Sequence, residues 1–338
     1  MSAGIFPGLD LPTLASYLPN VGVDVVGELH ATPLSGGKSN LTYCIRDDRS
    51  TWVLRRPPTA GLTPSAHDVG REYRVTAALQ GTDVPVARTV TLCDDESIMG
   101  APFSLVDFVE GRIVRTAADL EILSATDVDG CVHALVDVLA GLHAIDFRAA
   151  GLGDFGRPAG YLNRQVALWA KQWDRVKTRE SDDVYRLRAA LSDAIPRQSE
   201  VAIVHGDYRI DNTILANEDV TSVVAVVDWE LSTLGDPLAD VALMCVYRHP
   251  AFNLVIGDAA AWTDSRLPSA ADIAEMYARR SARDLANWGF YLALANYKLA
   301  VIAEGILHRH ISGATSGSGF DRIGEAVPEF LAAGLRTI

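Results

Sequence analysis

Apolar residues change their period partway along the chain. Before residue 110 they come in short runs at 25–31, 41–45 and 51–55, separated by a Gly-Gly turn and by the polar stretch Arg-Asp-Asp-Arg-Ser. Runs of this length bounded by turn residues predict β-strands. Pro57 and Pro58 end the third run, because proline cannot donate to a strand ladder. Residues 65–79 hold one glycine and no proline and predict a helix, after which 86–93 and 103–109 return to strand patterning. This part predicts a small antiparallel sheet with one helix laid across it.

After Gly111 the spacing becomes helical. Within 128–145, Val132, Leu135, Val136, Leu139 and Leu142 recur on one face, and 162–176, 184–195, 273–282, 285–307 and 323–335 predict further helices. A β-rich island at 201–228 interrupts them. The change of period predicts two lobes, 1–107 and 108–338. The most apolar long segment, 288–306, contains Asn296, Lys298 and Glu304 and predicts a core helix, since a lipid-facing helix carries such residues at high cost. The Gly/Ser-rich stretch 312–319 predicts a flexible loop.

Composition narrows the function classes. The chain has 338 residues, 49% hydrophobic and 22% charged, as expected of a soluble globular protein. Its formal charge of −13 disfavours general nucleic-acid binding, which runs on basic side chains, but leaves room for a local basic pocket for one nucleotide. The four cysteines, Cys44, Cys93, Cys131 and Cys245, form no CxxC pair, and the N-terminus lacks a basic region followed by a long apolar run. The expectation is a cytoplasmic protein without a membrane partner.

The chemistry concentrates in the island. Apolar runs at 201–204, 213–215 and 223–227 bracket His205, Asp207, Asp211, Asn212 and Asp228. Polar residues between short buried strands mark a loop held open by a rigid frame. Carboxylate and amide oxygens suit Mg²⁺, which takes one or two protein carboxylates and completes its shell with phosphate oxygens and water. A further carboxylate off the metal can orient and deprotonate a hydroxyl, the division of labour in phosphoryl transfer.

In combination these residues form a specific series. His205-Gly206-Asp207 is followed by Asn212, then by Asp228-Trp229-Glu230, then by Gly235-Asp236-Pro237 with Asp240. The series resembles the aminoglycoside phosphotransferase and choline kinase family. The resemblance implies an α+β, bilobal, protein-kinase-like fold, with a small antiparallel-sheet N-lobe carrying one helix and a larger, mostly helical C-lobe. It implies Asp207 as the base, and Asn212 and Asp228 on Mg²⁺. It places Gly36, Gly37, Ser39 and Asn40 in the loop that covers ATP. Arg55 stands where the kinase pattern has a lysine, with Glu72 as its partner, although adjacent Arg56 leaves that register open. The backbone of Asp107 to Val109 would meet the adenine. His205 is a scaffold residue in this reading. Asp236 and Asp240 would hold the catalytic loop. Glu230 could meet a second metal, a substrate group or a salt-bridge partner.

The same resemblance implies ATP- and Mg²⁺-dependent transfer of the γ-phosphate to a hydroxyl of a small molecule. Val53-Leu54-Arg55-Arg56-Pro57-Pro58, Ser35-Gly36-Gly37 with Ser39-Asn40-Leu41-Thr42, and the stretch 155–173 resemble the subgroup that includes the kinase-like domain fused to some acyl-CoA dehydrogenases, which points to a hydroxyacyl-type acceptor. An aminoglycoside is the second candidate. A non-catalytic pseudokinase would have lost base or metal positions, and Asp207, Asn212 and Asp228 are all present. Trp169 and Trp173, four residues apart, are either core or a wall of the acceptor pocket. Tyr208 and Arg209 could face the acceptor, and Arg209 suits an anion better than an aminoglycoside.

Overall fold

The computed structural model describes residues 6–34, 40–59, 68–198, 200–313 and 320–338. They divide into two compact units. One comprises residues up to Glu110 together with Ala225–Ser232, and the other comprises Gly111–Val224 and Thr233–Ile338. The division after Glu110 lies three residues beyond the one read from the change of period. Residues 225–232, read from sequence as part of the second lobe, belong to the first unit.

The first unit contains α1 (Leu11–Tyr17), β1 (His30–Pro33), β2 (Leu41–Arg46), β3 (Thr51–Arg56), α2 (Val69–Leu79), β4 (Thr89–Cys93), α3 (Glu96–Met99) and β5 (Phe103–Asp107). Among the described residues the strands form one antiparallel sheet in the order β1-β2-β3-β5-β4. Strand β3 alternates strictly, with Trp52, Leu54 and Arg56 buried on one side and Thr51, Val53 and Arg55 less so on the other. Trp52 and Leu54 join Tyr43, Ile45, Phe103 and Leu105 in a core closed by Leu14 and Leu18. The sequence pattern predicts one helix here. The structure adds α1, whose Asp10 cap accepts from Thr13 N at 3.0 Å, and the short α3. Helix α2 starts later than the apolar pattern suggests, at the Asp68 cap, whose Oδ1 accepts from Arg71 N at 2.8 Å.

The second unit contains α4 (Ala117–Glu121), α5 (Ala125–Ala144), α6 (Tyr161–Val176), α7 (Asp182–Asp193), β6 (Ala202–Val204), β7 (Thr213–Leu215), the start of β8 (Val223–Val226), β9 (Thr233–Gly235), α8 (Pro237–Val246), α9 (Phe252–Ile256), α10 (Ala270–Ser281), α11 (Trp288–Ile311) and α12 (Ala326–Leu335). Helix α11 is its axis and packs against α6, α7, α8 and α12. By length and composition α11 could cross a membrane, yet 72% of its most apolar window is buried inside the fold. Its polar residues are accommodated: Glu304, fully buried, accepts from Thr178 N at 2.6 Å and pairs with Arg179 at 3.2 Å. Strand β6 pairs with β9, so the end of β6 and the start of α8 lie side by side. The four cysteines are free.

Candidate active site

Each unit carries its own cluster of polar residues. In the first, alternation on β3 sends Arg55 and Arg56 to opposite faces. Arg56 turns into the unit and donates to the carbonyls of Gly8 and Met99, the latter at 2.9 Å, so it pins backbone. Arg55 takes the other face. Its Nη1 meets Glu72 Oε1 at 2.5 Å, its Nη2 meets Asp228 Oδ1 at 3.1 Å, and Glu230 Oε2 lies 3.9 Å away. Burial opposes the Arg55 charge, but Glu72 and Asp228 outweigh it and raise its pKa. Burial pushes the Glu72 carboxyl up against the pull of Arg55.

Asp228 adopts a left-handed conformation, φ +65° and ψ +55°, which costs a non-glycine residue of order 1 kcal/mol and is held by its surroundings. Those surroundings are specific. Val226 N donates to Pro85 O at 2.8 Å, Trp229 Nε1 donates to Val226 O at 2.9 Å, and Arg71 clamps Ser232 O from Nε and Nη2 at 3.2 and 3.0 Å. Asp228 is left half-exposed, and its Oδ2 accepts no hydrogen bond among the described residues.

Asp107 and Val109 lie in the same unit. The Asp107 carboxylate grips Arg88 with two bonds, 2.6 and 3.0 Å. The backbone N–H groups of Asp107 and Phe108 are taken by Arg88 O and Thr51 O. Val109 N donates to no backbone carbonyl among the described residues. Asn40 is buried just before β2. Gly36, Gly37 and Ser39 lie outside the described residues.

In the second unit the loop between β6 and β7 carries Asp207. Gly206 sits at φ +84°, a conformation that glycine adopts without penalty. From α8, Asp240 accepts His205 N at 2.6 Å and Gly206 N at 2.8 Å, and approaches His143 Nε2 at 3.4 Å; His143 Nδ1 is 2.7 Å from Tyr277 Oη. His205 Nδ1 in turn accepts Asp207 N at 3.2 Å. The loop is thus held by its backbone. Asp236 bonds elsewhere and does not hold the loop. It caps α8, accepting Leu238 N at 3.0 Å, and takes the Tyr291 hydroxyl at 2.9 Å.

Both Asp207 carboxylate oxygens are oriented. Oδ2 accepts from Asn212 Nδ2 at 3.1 Å, and Oδ1 accepts from the Tyr247 hydroxyl, with Arg209 Nε 3.4 Å away. Burial would raise the Asp207 pKa, but Arg209, the Tyr247 hydroxyl, Lys298 and His205 outweigh it and hold the carboxyl below its ordinary value. Asn212 also donates to Asp207 O at 2.7 Å, which fixes its amide orientation and leaves Oδ1 without a hydrogen bond among the described residues. Tyr208 points away, fully buried, with its hydroxyl on Leu135 O at 2.9 Å, so it does not face an acceptor. Trp173 is fully buried core, whereas Trp169 is only partly covered. Sequence reasoning did not single out Tyr247, and named Lys298 only as a polar residue of a core helix. They lie 40 and 92 residues from the loop positions they bond, and nothing in their local pattern marks them.

Among the described residues no group of three or more His, Cys, Asp and Glu side chains has a metal-holding arrangement. The donor chemistry in each unit, taken by itself, still suits magnesium, which takes few protein ligands. Asp228 Oδ2 and Asn212 Oδ1 are hard oxygens with open lone pairs. Among the described residues Arg55 Nε is buried without an acceptor, a state rare enough to suit a ligand oxygen such as phosphate.

Comparison with known proteins gives the family. The sequence profile of a phosphotransferase enzyme family matches residues 30–284. Acyl-CoA dehydrogenase family member 10 of Mus musculus is 35% identical over 318 residues, 92% of this chain and 30% of that protein. The chain spans less than half the length of the curated relatives it matches. A solved Ralstonia eutropha protein, provisionally described as an aminoglycoside phosphotransferase, superposes with a TM-score of 0.83 at 32% identity, covering 97% of this chain and 98% of that one. A thermostable mutant of aminoglycoside phosphotransferase APH(4)-Ia, solved with ADP and hygromycin B, shares the fold at a TM-score of 0.62 and 16% identity, covering 96% and 98% of the two chains.

Proposed function

This chain belongs to the phosphotransferase enzyme family, and from that premise we propose that it is an ATP- and Mg²⁺-dependent kinase that phosphorylates a hydroxyl of a small acidic or acyl-type metabolite. The observation that carries the reading is the state of Asp207. Its carboxylate is kept ionised, both its oxygens are aimed by fixed donors, and its loop is tied down by Asp240. A carboxylate so placed can accept the proton of an acceptor hydroxyl and orient the oxygen for in-line attack.

The other residues take complementary roles. Arg55, aimed by Glu72, binds phosphate oxygens, which a guanidinium fork suits. The Val109 N–H, which has no backbone partner among the described residues, would receive the adenine edge. By the family resemblance, Asn212 in the second unit and Asp228 in the first would each offer an oxygen to magnesium, whose charge would offset that of the phosphates. Support for a hydroxyacyl-type acceptor comes from the relatives named as acyl-CoA dehydrogenase family members, of which this chain matches a part. An aminoglycoside acceptor draws its support from the description of the Ralstonia protein.

The test is an ATP-consumption screen over hydroxy acids, hydroxyacyl thioesters, amino alcohols, sugars and aminoglycosides. The proposal expects magnesium-dependent ADP release with at least one acidic or acyl alcohol, and stoichiometric phosphoester by phosphorus NMR. ATP that binds but never transfers to any class would mark a nucleotide-binding protein instead.

A further inference from the structure

Lys298 helps keep Asp207 ionised, yet it has hydrogen-bond donors that the proposed phosphotransfer roles leave unused. It lies midway along α11 among buried neighbours, Tyr297, Leu299 and Val301, yet its own side chain is partly exposed. Its Nζ makes one hydrogen bond, to Gly206 O at 2.9 Å, directly before Asp207 in the loop. The same atom stands 5.6 Å from the ring centroid of Trp169 on α6. Among the described residues no carboxylate lies within ion-pair distance of it. An ammonium has three N–H donors, so two point elsewhere.

Arg209, the neighbouring cation, is in the opposite condition. Its Nη1 meets Asp211 at 2.6 Å, its Nε lies 3.4 Å from Asp207, and its guanidinium is stacked 5.4 Å from the rings of both Tyr247 and Phe252. Two carboxylates already balance it. The sequence expectation that Arg209 would receive an anionic acceptor therefore passes to a different residue. Burial works against the Lys298 charge, with Asp207 and Asp240 pulling the other way. A half-buried cation without a direct counter-ion is favoured by an anionic partner.

We propose that Lys298, with Trp169 as an apolar floor, binds a carboxylate borne on an aliphatic chain of the acceptor, and so selects acidic over cationic alcohols. This rests on the phosphotransfer reading only in calling the ligand an acceptor. An ammonium beside an indole face offers a charge-assisted hydrogen bond to the carboxylate and apolar contact to the chain that follows it. A polycation such as an aminoglycoside would meet like charge at the same place.

Binding can be read without turnover. Octanoate, octan-1-ol and octylamine are titrated by calorimetry into the wild-type protein, Lys298→Met, Lys298→Arg and Trp169→Leu. Octanoate is expected to bind the wild type about tenfold or more tighter than octylamine, to lose about that factor in Lys298→Met, and to keep most of it in Lys298→Arg. Trp169→Leu should weaken octanoate and octanol alike. AMP-PNP affinity should stay within about twofold in Lys298→Met. Octylamine binding the wild type as well as octanoate overturns the proposal, and this arm needs no variant to fold. So does an unchanged octanoate affinity in Lys298→Met, or a loss of nucleotide binding in its place. Absence of phosphoryl transfer to any acceptor would instead defeat the kinase reading, whatever the binding data show.

Discussion

Asp240 Oδ2 accepts the backbone N–H of His205 at 2.6 Å, across 35 residues of sequence. The other carboxylate oxygen takes Gly206 N, so one buried side chain fixes two successive peptide groups before Asp207. Hydrogen bonds to a charged acceptor contribute about 1.5–3 kcal/mol each, and the donors would be left buried without partners. Asp240→Ala is expected to lower stability by roughly 3 kcal/mol in urea unfolding and to depress phosphotransfer beyond what the lost folded fraction explains. Unchanged stability would mean the loop is held by other contacts.

His143, buried against Asp240 and Tyr277, gives the fold a pH dependence. Burial lowers its pKa, outweighing the pull of Asp240, so the folded form holds it neutral where the unfolded chain would protonate it. The unfolded state then binds more protons, and stability rises with pH in that window. Stability contributed by His143 is full above the ordinary histidine value of about 6.5 and declines as pH falls toward the depressed folded value. His249, also depressed by burial, acts in the same sense. Urea midpoints measured from neutral to mildly acidic pH should fall, and His143→Gln should flatten part of the slope but not all of it.

Arg55 is the shared partner of Glu72 and Asp228. Removing it leaves the nearly buried Glu72 without a counter-ion, and breaking such a pair costs about 3–5 kcal/mol. Arg55→Met should approach that loss. The double variant Arg55→Met with Glu72→Met should be less destabilised than the single one, because the stranded charge is gone. Thermal unfolding of the three proteins side by side decides it.

Gly206 tests the loop's backbone. At φ +84° a side chain is strained, so Gly206→Ala should cost about 1–2 kcal/mol and misaim Asp207, lowering kcat with little change in nucleotide affinity.

Much of this arrangement was legible in the sequence, for local reasons. The spacing of Asp207 and Asn212 lies within one short loop, and the opposite faces of Arg55 and Arg56 follow from strand alternation. Strands β2 to β5 and the long helices announced themselves by their apolar runs, whereas the run at 25–31 overlaps β1 only at residues 30 and 31. Short elements did not: α1 is seven residues long, so its apolar face of Leu11, Leu14 and Ala15 covers too few turns to set a period. The stretch around Tyr247 was not read as an element and Lys298 was noted only as a polar residue of a core helix, and only tertiary packing brings the two to the loop. Residues 225–232 form part of the first unit through contacts such as Val226 N to Pro85 O, which no local pattern encodes.

The most direct test of the central claim is single-turnover transfer from γ-labelled ATP to the best acceptor of the screen, run with wild type, Asp207→Asn and Asp228→Ala. The account predicts labelled phosphoester from the wild type. In Asp207→Asn the rate should fall on the order of 10²–10⁴-fold while ATP affinity is nearly kept. In Asp228→Ala, magnesium-dependent ATP binding itself should weaken by about tenfold or more. Transfer that survives in Asp207→Asn at near wild-type rate would contradict it.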